Sequence, residues 1–194
     1  LVVLVPGATH VNRVDSVSGR YKFTCYRTYR RRAFCVMEMM ATFLSRRKTH
    51  PMLLIRSSQG LPRWISSLET QKLAVGEAKF TCCERNHKGT FENCDRSTIR
   101  CVLARLIDEK IKYLFVIKNT ILARLTLTER NWFLRGLPID DDEFEFEDDS
   151  KISLRKALKW NSNVDGEWFD RGGISILFYA VGACKEKTVE SLLR

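Results

Sequence analysis

The stretch "RRRAFCVMEMM", residues 30–40, opens a segment in which Ala33, Phe34, Val36, Met37, Met40, Phe43 and Leu44 cover most of a helix's circumference. Their spacing predicts a helix over residues 29–46 that packs on several sides. Outward from it, "LVVLV" at 1–5, ended by Pro6 and Gly7, and "MLLI" at 52–55 are apolar runs of strand length. Continuous apolar strands are the mark of a sheet buried on both faces, as parallel sheets are. Strand, helix, strand reads as a βαβ unit with a right-handed crossover, so an α/β fold is expected.

Further along, "EAKFTCC" at 77–83 alternates enough to predict a third strand, and a short helix is expected around 68–73. Asp95 is a candidate N-cap for a helix carrying Ile99, Val102, Leu103, Leu106 and Ile107 at helical spacing. Residues 111–134 form a long amphipathic stretch that stops at Gly136 and Pro138. A helix is also expected over 153–160.

The chain of 194 residues holds 33 basic and 23 acidic residues. Eight of the acids fall in "DDDEFEFEDD" at 140–149, so the remainder sets 33 basic residues against 15 acidic ones. Self-repulsion in the acidic run predicts a linker, with Phe144 and Phe146 able to pin it to a basic surface. Seven cysteines, spread from Cys25 to Cys184 without a small disulfide framework, point to a reducing, cytoplasmic setting. The longest central apolar run, "YLFVI", is far short of the roughly 20 residues a membrane span needs, so no membrane is expected. The chain opens on Leu1 and closes within a helical pattern, and a piece of a longer polypeptide is expected.

Two family resemblances follow from these residues. "GGISILFYAVGACKEKTVESLLR" resembles an ankyrin repeat: Gly173, Ser175, Leu177, Ala180, Val189, Leu192 and Leu193 fall in the family's register. Ile176 stands where the family has proline, Phe178 where it has histidine and Cys184 where it has glycine, departures that suit a terminal repeat. In the opening third, "FCVME" between the two apolar strands resembles the later half of a Toll/interleukin-1 receptor (TIR)-like, flavodoxin-like domain. Phe34, Cys35 and Glu38 match the Trp-Cys pair and following glutamate of that family's helix, with Phe34 in place of the tryptophan.

The resulting expectation is a partial parallel-sheet TIR-like domain over 1–108, a helical connector over 109–138, the acidic linker at 139–150, and the start of an ankyrin region at 151–194. These resemblances imply an intracellular signalling or scaffold protein that binds other proteins and self-associates, with no cofactor. The alternative is an NAD-cleaving hydrolase in which Glu38 is the catalytic carboxylate, NAD entering only under that reading. Glu38 is the sole carboxylate between Asp15 and Glu69 and shares a polar stripe with Arg31, Thr42 and Ser45; the bland reading has it facing solvent beside Arg30 to Arg32.

A further alternative is a basic nucleic-acid-binding module using residues 27–32 with Tyr26, Tyr29 and Phe34. Since those residues open a helix that must pack on a sheet, nucleic acid is not expected. Cys82, Cys83, His87 and Cys94 combine zinc-ligand chemistry with a non-standard spacing. A strand at 77–83 would point Cys82 and Cys83 to opposite faces, so no metal is expected there.

Overall fold

The computed structural model describes residues 2–4, 26–46, 52–56, 60–84, 94–138, 151–161, 165–166, 168–183 and 185–193. Among these, 61% are helical and 8% lie in strands. That proportion, and the sheet's topology, overturn the expected parallel, flavodoxin-like α/β layer. The strands are β1 (Val2–Leu4), β2 (Met52–Ile55) and β3 (Arg63–Ile65), ordered β1-β2-β3. β1 pairs parallel with β2, Val3 opposite Leu54, but β2 pairs antiparallel with β3, Leu53 opposite Trp64. A short return within 52–65 thus takes the place of a second crossover.

The expected third strand is absent at 77–83. Residues 76–78 turn, Lys79 makes an isolated bridge to Arg32, and Thr81–Glu84 is a helical turn, α4. Tertiary contacts decide this. Lys79 N–H donates to Arg31 O at 2.7 Å and Lys79 O accepts from Ala33 N–H at 3.0 Å, which uses the backbone that a ladder would need. The same exchange interrupts the start of the helix expected over 29–46: α2 runs Ala33–Leu44, and Tyr29 instead ends a separate helical turn, α1 (Tyr26–Tyr29).

The chain forms two compact units, each completed by a segment distant in sequence. The first comprises residues 1–106 and 133–137. Its core joins Tyr26 and Met39 to Met52, Leu54 and Ile65, so that α2 and the sheet bury their apolar faces together. α3 (Ser67–Gln71) packs on α2, and Ser66 caps it by accepting from Glu69 N–H at 3.1 Å. The late segment 133–137 closes the unit, with Phe133 against Phe43 at 6.0 Å between ring centroids. There Gly76 and Gly136 meet backbone to backbone. A Cβ on Gly76 would lie 2.3 Å from the Gly136 carbonyl carbon, and Gly136 itself has φ +75°.

The second unit comprises residues 107–132 and 138–194. The long helix α5 (Asp95–Val116) contributes its end to this unit and its beginning to the first. The amphipathic stretch at 111–134 is not one helix. Lys118 takes a left-handed turn with φ 58°, Asn119 accepts from Leu122 N–H at 3.3 Å as an N-cap, and α6 (Thr120–Thr128) and α7 (Arg130–Leu134) follow. α8 (Lys151–Ala157), α9 (Ile176–Gly182) and α10 (Glu186–Leu193) complete it, with α9 packed on α6 and α10. The acidic run at 140–149 lies outside the described residues.

Candidate functional sites

Glu38 stands on α2 with its side chain at the surface. Tyr29 O–H donates to Glu38 Oε2 at 2.8 Å, and Thr42 Oγ1 donates back to Glu38 O at 2.9 Å. Burial first, and the hydrogen bond to Glu38 next, push the Tyr29 phenol up, so it stays a neutral donor. Of the predicted polar stripe, Arg31 and Glu38 are exposed and Thr42 and Ser45 are partly buried. The neighbouring basic cluster is engaged elsewhere in part. Arg30 lies 3.3 Å from Glu69 Oε1 and over the Tyr26 ring, and Arg63 joins the same carboxylate at 3.2 Å.

Tyr26 O–H donates to Glu69 as well, at 3.0 Å. Burial first, and the Glu69 hydrogen bond next, raise the Tyr26 pKa to about 12. One partly buried carboxylate therefore gathers two arginines and a phenol in the first unit. This hub was not foreseen from sequence, because its members lie up to 43 positions apart.

The second unit carries the more buried counterpart. Arg124 projects from the apolar segment "ILARLTL" and is 3% exposed. Its Nη2 donates to Asp165 Oδ2 at 2.7 Å, its Nη1 to Asp165 Oδ1 at 3.1 Å, and its Nε to Leu158 O at 2.8 Å. Asp170 Oδ2 lies 3.6 Å from the same guanidinium and accepts from Tyr179 O–H at 2.6 Å. Burial alone would raise the Asp165 pKa, but the bonds from Arg124 and from the Asn161 and Arg171 N–H groups overcome it and hold the carboxyl below its ordinary value.

This network shapes the segment in front of the C-terminal hairpin. Asp170 Oδ1 accepts from Gly172 N–H at 2.8 Å and from Ile174 N–H at 2.9 Å, closing a turn in which Gly173 adopts φ +76°. Phe169 then bridges Ser175, and Ser175 Oγ caps α9 by accepting from Phe178 N–H at 3.2 Å. Ile176, Tyr179 and Ala180 are buried in α9, and Leu192 in α10. Of the residues in ankyrin register, Leu177 and Val189 are half-buried and Leu193 is exposed. Phe178 and Val181 are also exposed, and Val181 and Val189 border a shallow groove with Lys185, Glu186 and Glu190.

The helical turn α4 brings together thiols that a strand would have separated. Cys82 Sγ lies 3.9 Å from Cys83 Sγ, which lies 3.8 Å from Cys94 Sγ just ahead of α5. All the described cysteines, Cys35, Cys82, Cys83, Cys94 and Cys101, are thiols. Burial, above all, raises the Cys82 pKa to about 11; the Asp95 backbone opposes this, while the Asp95 side chain and the Cys83 and Cys94 thiols add to it. His87, the fourth member of the predicted set, lies outside the described residues, as do His10 and His50.

No helix among the described residues is long and apolar enough to cross a membrane. Compared with known proteins, the chain matches no family model, no curated protein and no solved structure.

Proposed function

We propose that the protein works by binding other proteins through the helical hairpin α9–α10, as an ankyrin-type module in a cytoplasmic signalling or scaffold protein. The observation that carries this reading is the hairpin's approach: an aspartate-closed turn with a left-handed glycine, then a serine cap, then two short helices packed on each other. These are the physical requirements of the Gly-x-Ser/Thr motif to which residues 173–193 are similar. Exposed Phe178, Val181 and Leu193 supply apolar contact area, while Lys185, Glu186 and Glu190 beside them supply charge for selectivity.

The test replaces Val181 by a photo-crosslinking residue in the full chain and identifies what it captures in cells, against the same chain carrying Phe178→Ser and Leu193→Ser. Defined protein partners at position 181, lost in the double variant while its circular dichroism is unchanged, are the expected result. An unchanged capture pattern, or NAD consumption that vanishes in Glu38→Ala, would overturn the reading.

A further inference from the structure

The three sulfurs of Cys82, Cys83 and Cys94 lie within 4.8 Å of one another. Two of the separations are 3.9 and 3.8 Å. Tetrahedral zinc with Zn–S bonds of about 2.3 Å holds neighbouring sulfurs about 3.8 Å apart, so two edges of the cluster already have the spacing of a zinc-thiolate face. Adjacent cysteines reach this arrangement only because α4 is helical: consecutive side chains on a helix diverge by about 100°, whereas on a strand they oppose.

A second feature bears on the same sulfurs. Cys94 directly precedes Asp95, the first residue of the 22-residue α5, so the third sulfur sits at the positive end of a long helix. Cys94 is 3% exposed, while Cys82 and Cys83 are partly buried, so the cluster has both a packed base and an approach for an ion.

We propose that Cys82, Cys83 and Cys94 form a zinc site that clasps α4 to the beginning of α5. The three thiolates occupy three vertices of a tetrahedron, and the fourth is left to a donor outside the three. Each thiol gives up its proton to solvent as its Zn–S bond forms, with no change in oxidation state. Zinc is favoured over harder divalent ions because the donors are all sulfur. The clasp joins two segments whose ligands are 11 residues apart in sequence.

The full chain, freed of metal and of any affinity tag, would be loaded with Zn2+ alone and in parallel with Co2+ alone. Expected are one metal per chain, a thiolate-to-cobalt charge-transfer absorption, and zinc protection of Cys82, Cys83 and Cys94, but not Cys101, from alkylation mapped by mass spectrometry. Cys83→Ser and Cys94→Ser should each weaken zinc binding by more than ~100-fold, beyond the loss that follows removal of a ligand's supporting group. Cys101→Ser should bind as the wild type does. Should the cluster variants fail to fold, the wild-type alkylation map decides. Zinc bound without protection of the three cysteines, an absent charge-transfer band, or binding retained in a folded Cys83→Ser would each overturn the proposal.

Discussion

Both units gather arginine onto carboxylate, and they do so at opposite depths. In the first, Glu69 meets Arg30 and Arg63 with side-chain exposures of 34% and 50% for the arginines. In the second, Arg124 and Asp165 are 3% and 4% exposed, and Asp170 is fully covered. Exposed pairs exchange hydration for a screened attraction and gain little. A buried group has no water to return to, so its partners become obligatory. The Glu69 cluster thus keeps its arginines in reach of water, whereas the Arg124 network lies in the buried interior of the second unit.

The sharpest way to break this contrast is Arg124→Leu, which leaves two carboxylates buried without their cation. It should cost about 3–5 kcal/mol, read as a lowered urea midpoint of the Trp160 fluorescence transition, since Arg124 lies over that ring. Tyr179→Phe removes a single donor from Asp170 and should cost about 1–3 kcal/mol in the same measurement. A loss under 0.5 kcal/mol in both, within the ordinary range for surface substitutions, would show the buried network to be dispensable.

Acid separates the units in a different manner. The folded pKa of Asp165 is depressed, so its stabilisation is complete above the ordinary value of 3.8 and is lost as pH falls through the lowered one. The slope from that one proton is at most about 1.4 kcal/mol per pH unit. Amide exchange at Asn161 and Arg171, whose N–H groups bind the carboxylate, should accelerate over this range beyond the intrinsic pH dependence. No added acceleration at those two amides would refute the assignment.

Glu69→Gln should then cost no more than about 1 kcal/mol, because a Gln carbonyl still accepts from Tyr26 and both arginines keep access to water. Smallest of all, Glu38→Ala should shift the urea midpoint by less than about 0.5 kcal/mol equivalent, as an exposed position away from the core does. A larger loss there would make the Tyr29–Glu38 bond part of the first unit's framework.

What was legible in the sequence is what local pattern decides. Apolar periodicity located α2, the run "MLLI" located β2, and the helix beginning at Asp95 emerged from its spacing. The strand expected at 77–83 failed because alternation over seven residues is weak beside backbone bonds from Arg31 and Ala33, more than 40 positions earlier. β3 was missed because "RWI" is too short to show alternation, and its pairing with β2 supplies what the segment itself lacks. Asn119 did carry a readable cap, which the longer amphipathic pattern obscured, whereas nothing in Lys118 announced its left-handed turn.

Of the candidate sites, Glu38 was visible as an isolated acid, but its bond to Tyr29 depends on the interruption at the start of the expected helix. The thiol cluster was legible as composition and misread as geometry, since the strand assignment set Cys82 and Cys83 apart. Arg124 offered a signal in hindsight: a lone arginine amid "ILA" and "LTL" must find buried acceptors. Its partner Asp165 lies 41 residues away, beyond any local pattern.

The late segment that closes the first unit has a consequence for the order in which the protein matures. Arg135 reaches back 58 residues to Glu77, and the backbone of residues 135–137 packs directly against Gly76. On the ribosome, where chains emerge from the N-terminus onward, β2, α2 and α3 will be assembled while this seam is still open. The nascent first unit therefore waits for translation to pass α6 and α7, and a pause or a cleavage before residue 133 strands it half-sealed, at the stage when chaperones and proteases choose their clients.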